Sequence, residues 1–273
     1  MTIRKEIQEF YEQSDEKGRL SNSFIGKLER KRTLDILGRN LPPPPRIVID
    51  VGGAAGAYAF PLAKQNYSVV LVDPVFLHIQ QAQQINESLG GVLPEIKVGD
   101  ARSLEVDDAF ADIVLMLGPL YHLTDKNDRT KALAEAYRVL CPGGMIFCAG
   151  ITRFASFMDG LARGVLRDDY YDVAKQDLTN GQHRNPLGGE FFTTAYFHHP
   201  QELLEEVEEA GFEEVELLAI EGPVWLLPEE GNLRDEIPLN RILRLLEMVE
   251  SDFSLLGVSP HILAIGTKPR GKH

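Results

Sequence analysis

The sequence has few cysteines, no long apolar run and no excess of positive charge. Its two cysteines, Cys141 and Cys148, match no metal-ligand spacing and do not suggest a disulfide framework. No apolar run approaches the roughly 20 residues that span a bilayer, and a polar, amphipathic segment follows Met1 instead of an apolar signal core. We therefore expect a cytoplasmic protein that does not enter a membrane.

Acidic residues outnumber basic ones, 41 Asp and Glu against 28 Lys and Arg, for a formal net charge of -13. This balance disfavours a nucleic-acid partner, because such proteins carry a basic surface. Eight glutamates lie between Glu202 and Glu216 without one basic residue. Because Leu203, Leu204 and Val207 form an apolar stripe beside them, we interpret the run as a solvated helix face.

The most informative segment runs from Arg46 to Pro74. An apolar strand (47–51) leads into a loop containing Gly52, Gly53 and Gly56, a helix follows, and a second apolar strand (69–72) ends on Asp73. Glycines let the backbone approach a ligand, and the start of the helix offers free N–H groups. An acid at the end of the second strand can accept hydrogen bonds from both hydroxyls of a ribose. The alternative role for Asp73 is to cap the next helix.

Strands and helices continue to alternate beyond this segment, which is typical of a parallel α/β sheet. Helices are predicted at 2–13, 23–37, 57–65, 75–89, 129–140, from 200 and from 238, and further strands at 95–98, 111–117, 145–149, 215–220 and 261–267. Prolines 42–45 are interpreted as a rigid spacer before the first strand.

The turn after the third strand has groups that can bind an adenine base. Asp100 can accept a hydrogen bond from the exocyclic amine, and the Ala101 N–H can donate to the ring. A simple turn is the alternative for Asp100. The glycine spacing after the first strand does not fit the dinucleotide pattern G-x-G-x-x-G, since Ala54 and Ala57 occupy its second and third glycine positions. A nicotinamide dehydrogenase is therefore disfavoured.

The ordered set of motifs resembles the class I S-adenosylmethionine-dependent methyltransferases of the small-molecule type. Residues 50–56 (DVGGAAG) are similar to their glycine-rich loop, Asp73 to their ribose-binding acid, residues 99–101 to their adenine-binding turn, and residues 138–144 (RVLCPGG) to the turn before strand five. Ala54 departs from the family, which usually has glycine there. The resemblance covers about 46–150 and 200–267.

This resemblance implies a doubly wound, mostly parallel seven-stranded sheet with an antiparallel last strand. It also implies S-adenosylmethionine as the cofactor and S-adenosylhomocysteine as its product. Gly52 and Gly53 would face the methionine carboxylate, while Asp50 and the backbone carbonyl of Leu117 would meet the ammonium group. Asp50 can at the same time tie down its own loop.

We expect a helical N-terminal cap and proline-rich spacer (1–45), a cofactor-binding core (46–150 and 199–273) and two lid insertions (151–198 and 223–260). The irregular insertions follow the carboxyl ends of strands, where ligands of such sheets bind. In the cap, Tyr11 and Arg19 are predicted to close over the cofactor, as such segments do in similar methyltransferases.

Methyl transfer needs mainly alignment of the acceptor and exclusion of water. Tyr121 and His122 follow the fourth strand and are the predicted catalytic residues; His122 is a candidate general base, or it packs beside the cofactor. Arg153 is a candidate for an acceptor carboxylate or phosphate, or it pairs with a surface acid. The aromatic side chains of the insertions form an acceptor pocket or pack the insertions on the core. They are Tyr170, Tyr171, Phe191, Phe192, Tyr196, His198 and Trp225, of which Tyr171, His198 and Trp225 are the predicted acceptor residues.

The predicted function is methyl transfer from S-adenosylmethionine to a small molecule, with the acceptor atom open. A non-catalytic sensor or assembly subunit that binds the cofactor or its product is the alternative from a different class. An RNA methyltransferase is disfavoured by the charge and by the lack of an appended basic module. The sequence leaves the oligomeric state open.

Overall fold

The chain alternates strands and helices from Ile47 onward, as its apolar pattern predicts. The computed structural model describes residues 5–14, 16–167, 169–184, 192–226 and 238–271. Within them the strands are β1 Ile47–Val51, β2 Ser68–Asp73, β3 Glu95–Val98, β4 Ala111–Met116, β5 Leu140–Thr152, β6 Gln182–His183, β7 Ala195–His198, β8 Glu213–Ala219 and β9 His261–Thr267.

The helices before β5 are α1 Lys5–Gln13, α2 Glu16–Asn22, α3 Phe24–Asn40, α4 Ala59–Ala63, α5 Phe76–Ser88, α6 Pro119–His122 and α7 Lys126–Val139. Those after β5 are α8 Ala155–Arg163, α9 Asp169–Asn180, α10 Pro200–Glu209, α11 Leu239–Val249 and α12 Phe253–Leu256, with a 3₁₀ helix at Gly222–Leu226. Among the described residues, no helix combines the length and the apolar character that crossing a bilayer requires.

The sheet has the predicted doubly wound, mostly parallel form. Strands β3, β2, β1, β4 and β5 pair in that order, all parallel. Strand β9 is antiparallel to β5 along Met145–Ile151, and β8 is antiparallel to β9 on its other side. These seven strands are the predicted ones, and the antiparallel last strand is confirmed.

Helices cover both faces of the sheet, because successive strand residues point to opposite sides. On one face, Ile49 and Val51 pack with residues of α7 and α10. On the other, Val48 packs with residues of α3, α4 and α5, including Ile36 and Leu37. All of these strand side chains are almost fully buried. Each face of the sheet thus has its own apolar core.

Several elements differ from the predictions, and helices α6, α8, α9 and α12 were not predicted. Strands β6 and β7 add a short antiparallel pair, and β7 lies parallel to the end of β5 beyond β4, so the sheet of described residues has nine strands rather than seven. Helix α2 was not predicted, since its seven residues EKGRLSN have little apolar pattern. Strand β5 begins at Leu140, before the glycines, because it already pairs there with Ala111.

Candidate functional site

An open cavity of about 1180 Å³ lies at the carboxyl ends of the central parallel strands; it is called the first cavity below. Ligands of doubly wound sheets bind at this edge, where the order of strands reverses between β1 and β4. Eleven of the predicted site residues line the cavity, namely Tyr11, Arg19, Asp50, Gly52, Gly53, Asp73, Asp100, Ala101, Leu117, Tyr121 and His122.

The glycine-rich loop after β1 needs small residues for two reasons. Gly52 has φ +70°, and a Cβ there would lie 2.8 Å from the ring of Pro119; a Cβ at Gly53 would lie 2.6 Å from Asp50 Oδ2. Ala54, which replaces the family's glycine, also has a positive φ of 48°. The predicted cofactor contact of Gly56 is corrected, because this residue does not line the cavity. A Cβ at Gly56 would lie 2.5 Å from the Phe60 ring, so the glycine allows close packing there.

Asp50 is a buried carboxyl group with an unused oxygen. Its Oδ2 has no hydrogen-bond partner among the described residues, and the side chain lines the first cavity. Burial, reinforced by the nearby charge of Asp73, raises the pKa of Asp50 to about 7. A buried carboxyl group without a partner is costly, and a cationic group in the cavity would supply the missing one.

Asp73 fixes the loop and the helix that follow β1 and β2. Its Oδ2 accepts from the Ala54 N–H at 2.9 Å, and its Oδ1 accepts from the Val75 N–H at 2.9 Å. The ring Nδ1 of His78 lies 3.0 Å from Oδ1, whereas His78 Nε2 is buried, lines the cavity and has no partner among the described residues. Asp73 thus caps the next helix, as the alternative in the sequence analysis stated, and also lines the cavity. Its carboxylate can also accept further hydrogen bonds from a ligand.

Asp100 forms an ion pair that the sequence analysis did not predict. Arg102 donates from Nε and Nη2 to the two oxygens of Asp100 at 2.9 and 2.6 Å, and from Nη1 to Asp128 at 2.8 Å. Opposing the effect of burial, these bonds hold the pKa of Asp100 below its ordinary value. Asp100 and Ala101 both line the cavity, so the turn lies where the adenine contact was predicted.

Tyr121 and His122 lie on α6 at the inner end of the cavity, next to α1. The hydroxyl of Tyr121 donates to the Leu117 carbonyl at 3.2 Å, and the hydroxyl of Tyr11 lies 2.6 Å from His122 Nε2. Burial, only partly offset by the backbone of Thr194, lowers the pKa of His122 to about 3. The imidazole is therefore neutral at physiological pH and bound to the N-terminal cap.

Arg19 joins two helices of the N-terminal cap, α2 and α3. Its guanidinium donates to Glu29 at 2.6 and 3.0 Å and to Glu16 at 2.9 Å. Burial alone would lower the pKa of Arg19, but the two carboxylates outweigh it and raise it well above the usual value. Tyr11 and Arg19 both line the first cavity, so the structure brings both predicted cap residues to the site.

A second cavity of about 1030 Å³ adjoins the first and shares Tyr11, Arg19 and Tyr121 with it. Of the predicted acceptor residues, Trp225 lines this second cavity and donates from its indole N–H to the Val258 carbonyl at 2.7 Å. The cavity lies between the N-terminal cap and the insertion 151–198.

Three predicted acceptor residues line neither cavity and are corrected here. Tyr171 is exposed on α9, and its neighbour Tyr170 lines the second cavity instead. Arg153 donates to Glu202 at 2.5 Å, the alternative already stated for it. His198 is fully buried, with Nε2 lying 3.4 Å from Glu206. Phe191 lies outside the described residues.

The sequence analysis missed several residues at the two cavities. His78 lies inside an ordinary helical pattern, five residues after Asp73, and Arg102 lies two residues after Asp100; neither spacing signals a site. His183 and Ser156 line the second cavity from segments without a clean period. Only the pairing of β6 with β7 and the packing of α8 against α9 bring these side chains together.

Comparison with known proteins agrees with this geometry. Residues 49–148 match the family model described as a methyltransferase domain. A ubiquinone/menaquinone biosynthesis C-methyltransferase from Caulobacter vibrioides is 32% identical over 132 residues, which is 43% of this chain and 49% of that protein. The corresponding protein of Zymomonas mobilis is 28% identical over 131 residues, 47% of this chain and 52% of its own length. The chain thus spans about half the length of the curated relatives it matches.

Solved structures show the same fold at low identity. A methyltransferase described as S-adenosylmethionine-dependent from Methanosarcina mazei has a TM-score of 0.58 at 20% identity, over 86% of this chain and 97% of its own. Phosphoethanolamine N-methyltransferase 2 of Haemonchus contortus, solved with S-adenosylmethionine, has a TM-score of 0.56 at 18% identity, over 88% of this chain and 52% of its own. The domain match places a methyltransferase domain at residues 49–148, and the solved structures show that the chain has the fold of class I S-adenosylmethionine-dependent methyltransferases.

Proposed function

We propose that this protein transfers the methyl group of S-adenosylmethionine to a small-molecule acceptor. The observation that carries the proposal is the pair of adjoining cavities: one is lined by the motif residues of the family, and the other, which shares Tyr11, Arg19 and Tyr121 with it, leaves room for a second molecule beside the first. A protein that only senses the cofactor needs the first cavity but not the second.

The residues of the first cavity fit S-adenosylmethionine. Asp73 would accept from the ribose hydroxyls, and Nε2 of His78, which has no partner among the described residues, would be a second polar group on that side. The turn at Asp100 and Ala101 would hold the adenine. Asp50, whose Oδ2 has no partner among the described residues, would bind the methionine ammonium group together with the Leu117 carbonyl. The bound cofactor supplies an electrophilic methyl group.

The protein's own part is to orient the acceptor and to exclude water. The contact between Tyr11 and His122 holds the N-terminal cap over the junction of the two cavities, and the ion pair of Arg19 and Glu29 joins two helices within the cap. Such closure increases the rate by keeping the reacting atoms aligned in a site of low dielectric constant. The predicted role of His122 as a base stays a prediction; its low pKa makes it a weak proton acceptor.

The identity of the methyl acceptor cannot be inferred from the relatives. The curated ones are named as C-methyltransferases of quinone biosynthesis, but this chain covers only about half their length. A small-molecule acceptor and a cytoplasmic location are therefore part of the proposal. The most direct test is incubation of the protein and labelled S-adenosylmethionine with a metabolite extract. Transfer of label to a small molecule is expected; binding of the cofactor without any labelled product would favour the sensor.

The pH dependence of cofactor binding should depend on Asp50. Its pKa of about 7 in the free protein means that part of the population is protonated at neutral pH. An ammonium group favours the carboxylate, so binding should release a proton. We expect the affinity for S-adenosylhomocysteine to rise with pH by up to about tenfold per unit until pH reaches roughly 7, and then to level off.

Calorimetry in two buffers of different ionisation enthalpy measures this proton release directly. Asp50→Asn keeps the size of the side chain and removes the titrating proton, so it serves as the matched control. Equal pH dependence in the wild type and in this variant would contradict the assigned role of Asp50.

A further inference from the structure

The second cavity has the walls of a binding site for a flat aromatic molecule. Six tyrosine, phenylalanine and tryptophan side chains line it: Tyr11, Tyr121, Tyr170, Phe192, Phe197 and Trp225. Aromatic walls bind planar rings through offset and edge-to-face contacts. The cavity meets the first one at Tyr11, Arg19 and Tyr121, so a molecule bound in it lies beside the methyl donor; this step rests on the proposed function.

A buried acid and an imidazole form a pair at the wall of this cavity. Asp177 on α9 is fully buried, and its Oδ2 lies 2.7 Å from His183 Nδ1 and accepts from the Ser156 hydroxyl at 2.5 Å. The imidazole is fixed further, since its ring is stacked on Phe197 with centroids 4.5 Å apart at an interplanar angle of 5°. Ser156 and His183 both line the cavity.

The other ring nitrogen of His183, Nε2, makes one weaker contact, to a backbone carbonyl. This contact with the Phe192 carbonyl is 3.3 Å long, and an incoming hydroxyl can replace it. A histidine with Nδ1 on a buried carboxylate and Nε2 toward the substrate is the usual arrangement of a general base, because the carboxylate stabilises the imidazolium that forms.

The charges of the cavity wall favour an acceptor that becomes negative. Arg19, Arg163 and His261 line the cavity, against one acid, Asp159, which is paired with Arg163 at 3.3 Å. The carboxylates that neutralise Arg19 and His261 lie outside the lining. Burial alone would lower the pKa of His261, but Glu221 and Glu29 outweigh it and raise it to about 9, so the ring is cationic at neutral pH. Cationic side chains in the lining stabilise a phenolate and repel a cationic amine.

We propose that the second cavity binds a phenolic acceptor and that His183, held by Asp177, is its general base. His183 Nε2 takes the proton of the phenolic hydroxyl while the oxygen forms a bond to the methyl carbon. The carbon–sulfur bond of the donor breaks with its electron pair left on sulfur, and the imidazolium later releases its proton to water. His183 is the catalytic residue in this step, and Asp177 is a positioning residue.

The test compares two phenols of different acidity with labelled S-adenosylmethionine as donor. With 4-methylphenol, His183→Gln should lower kcat about 100-fold or more, because a neutral phenol needs the base. With 4-nitrophenol, assayed at a pH where it is already ionised, the same variant should keep most of the wild-type rate. Asp177→Asn should give the same pattern, and Asp172→Asn, an exposed position on the same helix, should behave as wild type with both phenols.

A second measurement needs no turnover. The absorption spectrum of 4-nitrophenol reports its ionisation, so it can be titrated at mildly acidic pH into protein loaded with S-adenosylhomocysteine. Wild-type protein should bind it mainly as phenolate, and His183→Gln should bind a larger fraction as neutral phenol. Thermal unfolding of each variant checks that the fold is retained.

Three results would overturn the inference. They are an equal loss of rate with both phenols in the His183 and Asp177 variants, wild-type turnover of 4-methylphenol in both variants, and binding of the cofactor without binding or methylation of any phenol. If the protein bound no S-adenosylmethionine at all, the proposed function would fail first. If it bound the cofactor and labelled an extract but no phenol, only the inference about the acceptor would fail.

Discussion

Asp73→Ala is expected to weaken binding of S-adenosylmethionine and S-adenosylhomocysteine about ten- to a hundredfold. Hydrogen bonds to a charged group contribute about 1.5–3 kcal/mol, and 1.4 kcal/mol corresponds to a factor of ten. The side chain lines the first cavity and also accepts from the Ala54 and Val75 N–H groups, so the variant loses a ribose contact and part of the loop order. Isothermal titration calorimetry measures the change.

The control for the loss of loop order is Asp112→Ala. Asp112 lies at the start of β4, at the opposite edge of the sheet, and its Oδ2 accepts from the Ile47 N–H at 2.9 Å. This variant also loses a bond from a carboxylate to the backbone, but far from the cavity. It should keep full affinity for the cofactor, with a lower melting temperature. An Asp73→Ala protein that binds both ligands as tightly as wild type would remove Asp73 from the site.

Glu206→Gln is expected to be the most destabilising of the substitutions considered, at about 3–5 kcal/mol. Glu206 on α10 binds Arg129 on α7 through two bonds of 2.6 and 2.8 Å, and both side chains are buried. Removing the negative charge leaves the guanidinium buried without its counter-charge. Chemical denaturation should show a much lower midpoint for the variant.

Two controls separate this cost from a general effect of charge. Glu209→Gln removes the acid of an exposed pair between the same two helices, Lys126 and Glu209, 3.0 Å apart, and should cost less than about 1 kcal/mol. The double variant Arg129→Met with Glu206→Leu should recover much of the lost stability, since an apolar pair has no charge to compensate. A single Glu206→Gln variant as stable as Glu209→Gln would contradict the buried ion pair.

The buried pair of Glu206 and Arg129 also predicts how the stability of the protein changes in acid. Burial alone would raise the pKa of Glu206, but Arg129 and His198 outweigh it and lower the pKa to about 2. The stabilisation from this carboxylate is therefore complete above about pH 4.5, the ordinary pKa of a glutamate, and it is lost as the pH falls toward 2.

Those parts of the fold that depend on local pattern were predictable from sequence. Strands β1 and β9 have the predicted bounds, 47–51 and 261–267, because each is a short apolar run between residues that end strands. The glycine-rich loop after Asp50 and the acid Asp73 were also predicted to lie at one site, and both line the first cavity. They could be recognised because their residues lie close together in the chain.

Features that depend on distant contacts were not predictable in this way. The glutamate run from Glu202 was interpreted as a solvated face, and this is wrong for Glu206. That residue lies on the same helix face as Leu203 and Val207, and it is buried because Arg129 of a distant helix meets it there. A carboxylate in an acidic run gives no signal of its buried partner.

The acceptor side was the least predictable. Tyr170 and Tyr171 are adjacent in the chain, and only the packing of α9 against α8 decides that Tyr170 points toward the second cavity. His183 meets Asp177 through the turn at Gly181 between α9 and β6, a local contact that gives no recognisable motif. Single residues on helices and short strands give a signal only once the cavity they line is known.

A crystal structure of the protein with S-adenosylhomocysteine would test the central claim most directly. The account predicts adenosine in the first cavity, with the ribose hydroxyls on Asp73, the ammonium group on Asp50 and the sulfur directed toward the second cavity at Tyr121. Adenosine bound elsewhere, or a sulfur directed away from the second cavity, would contradict it.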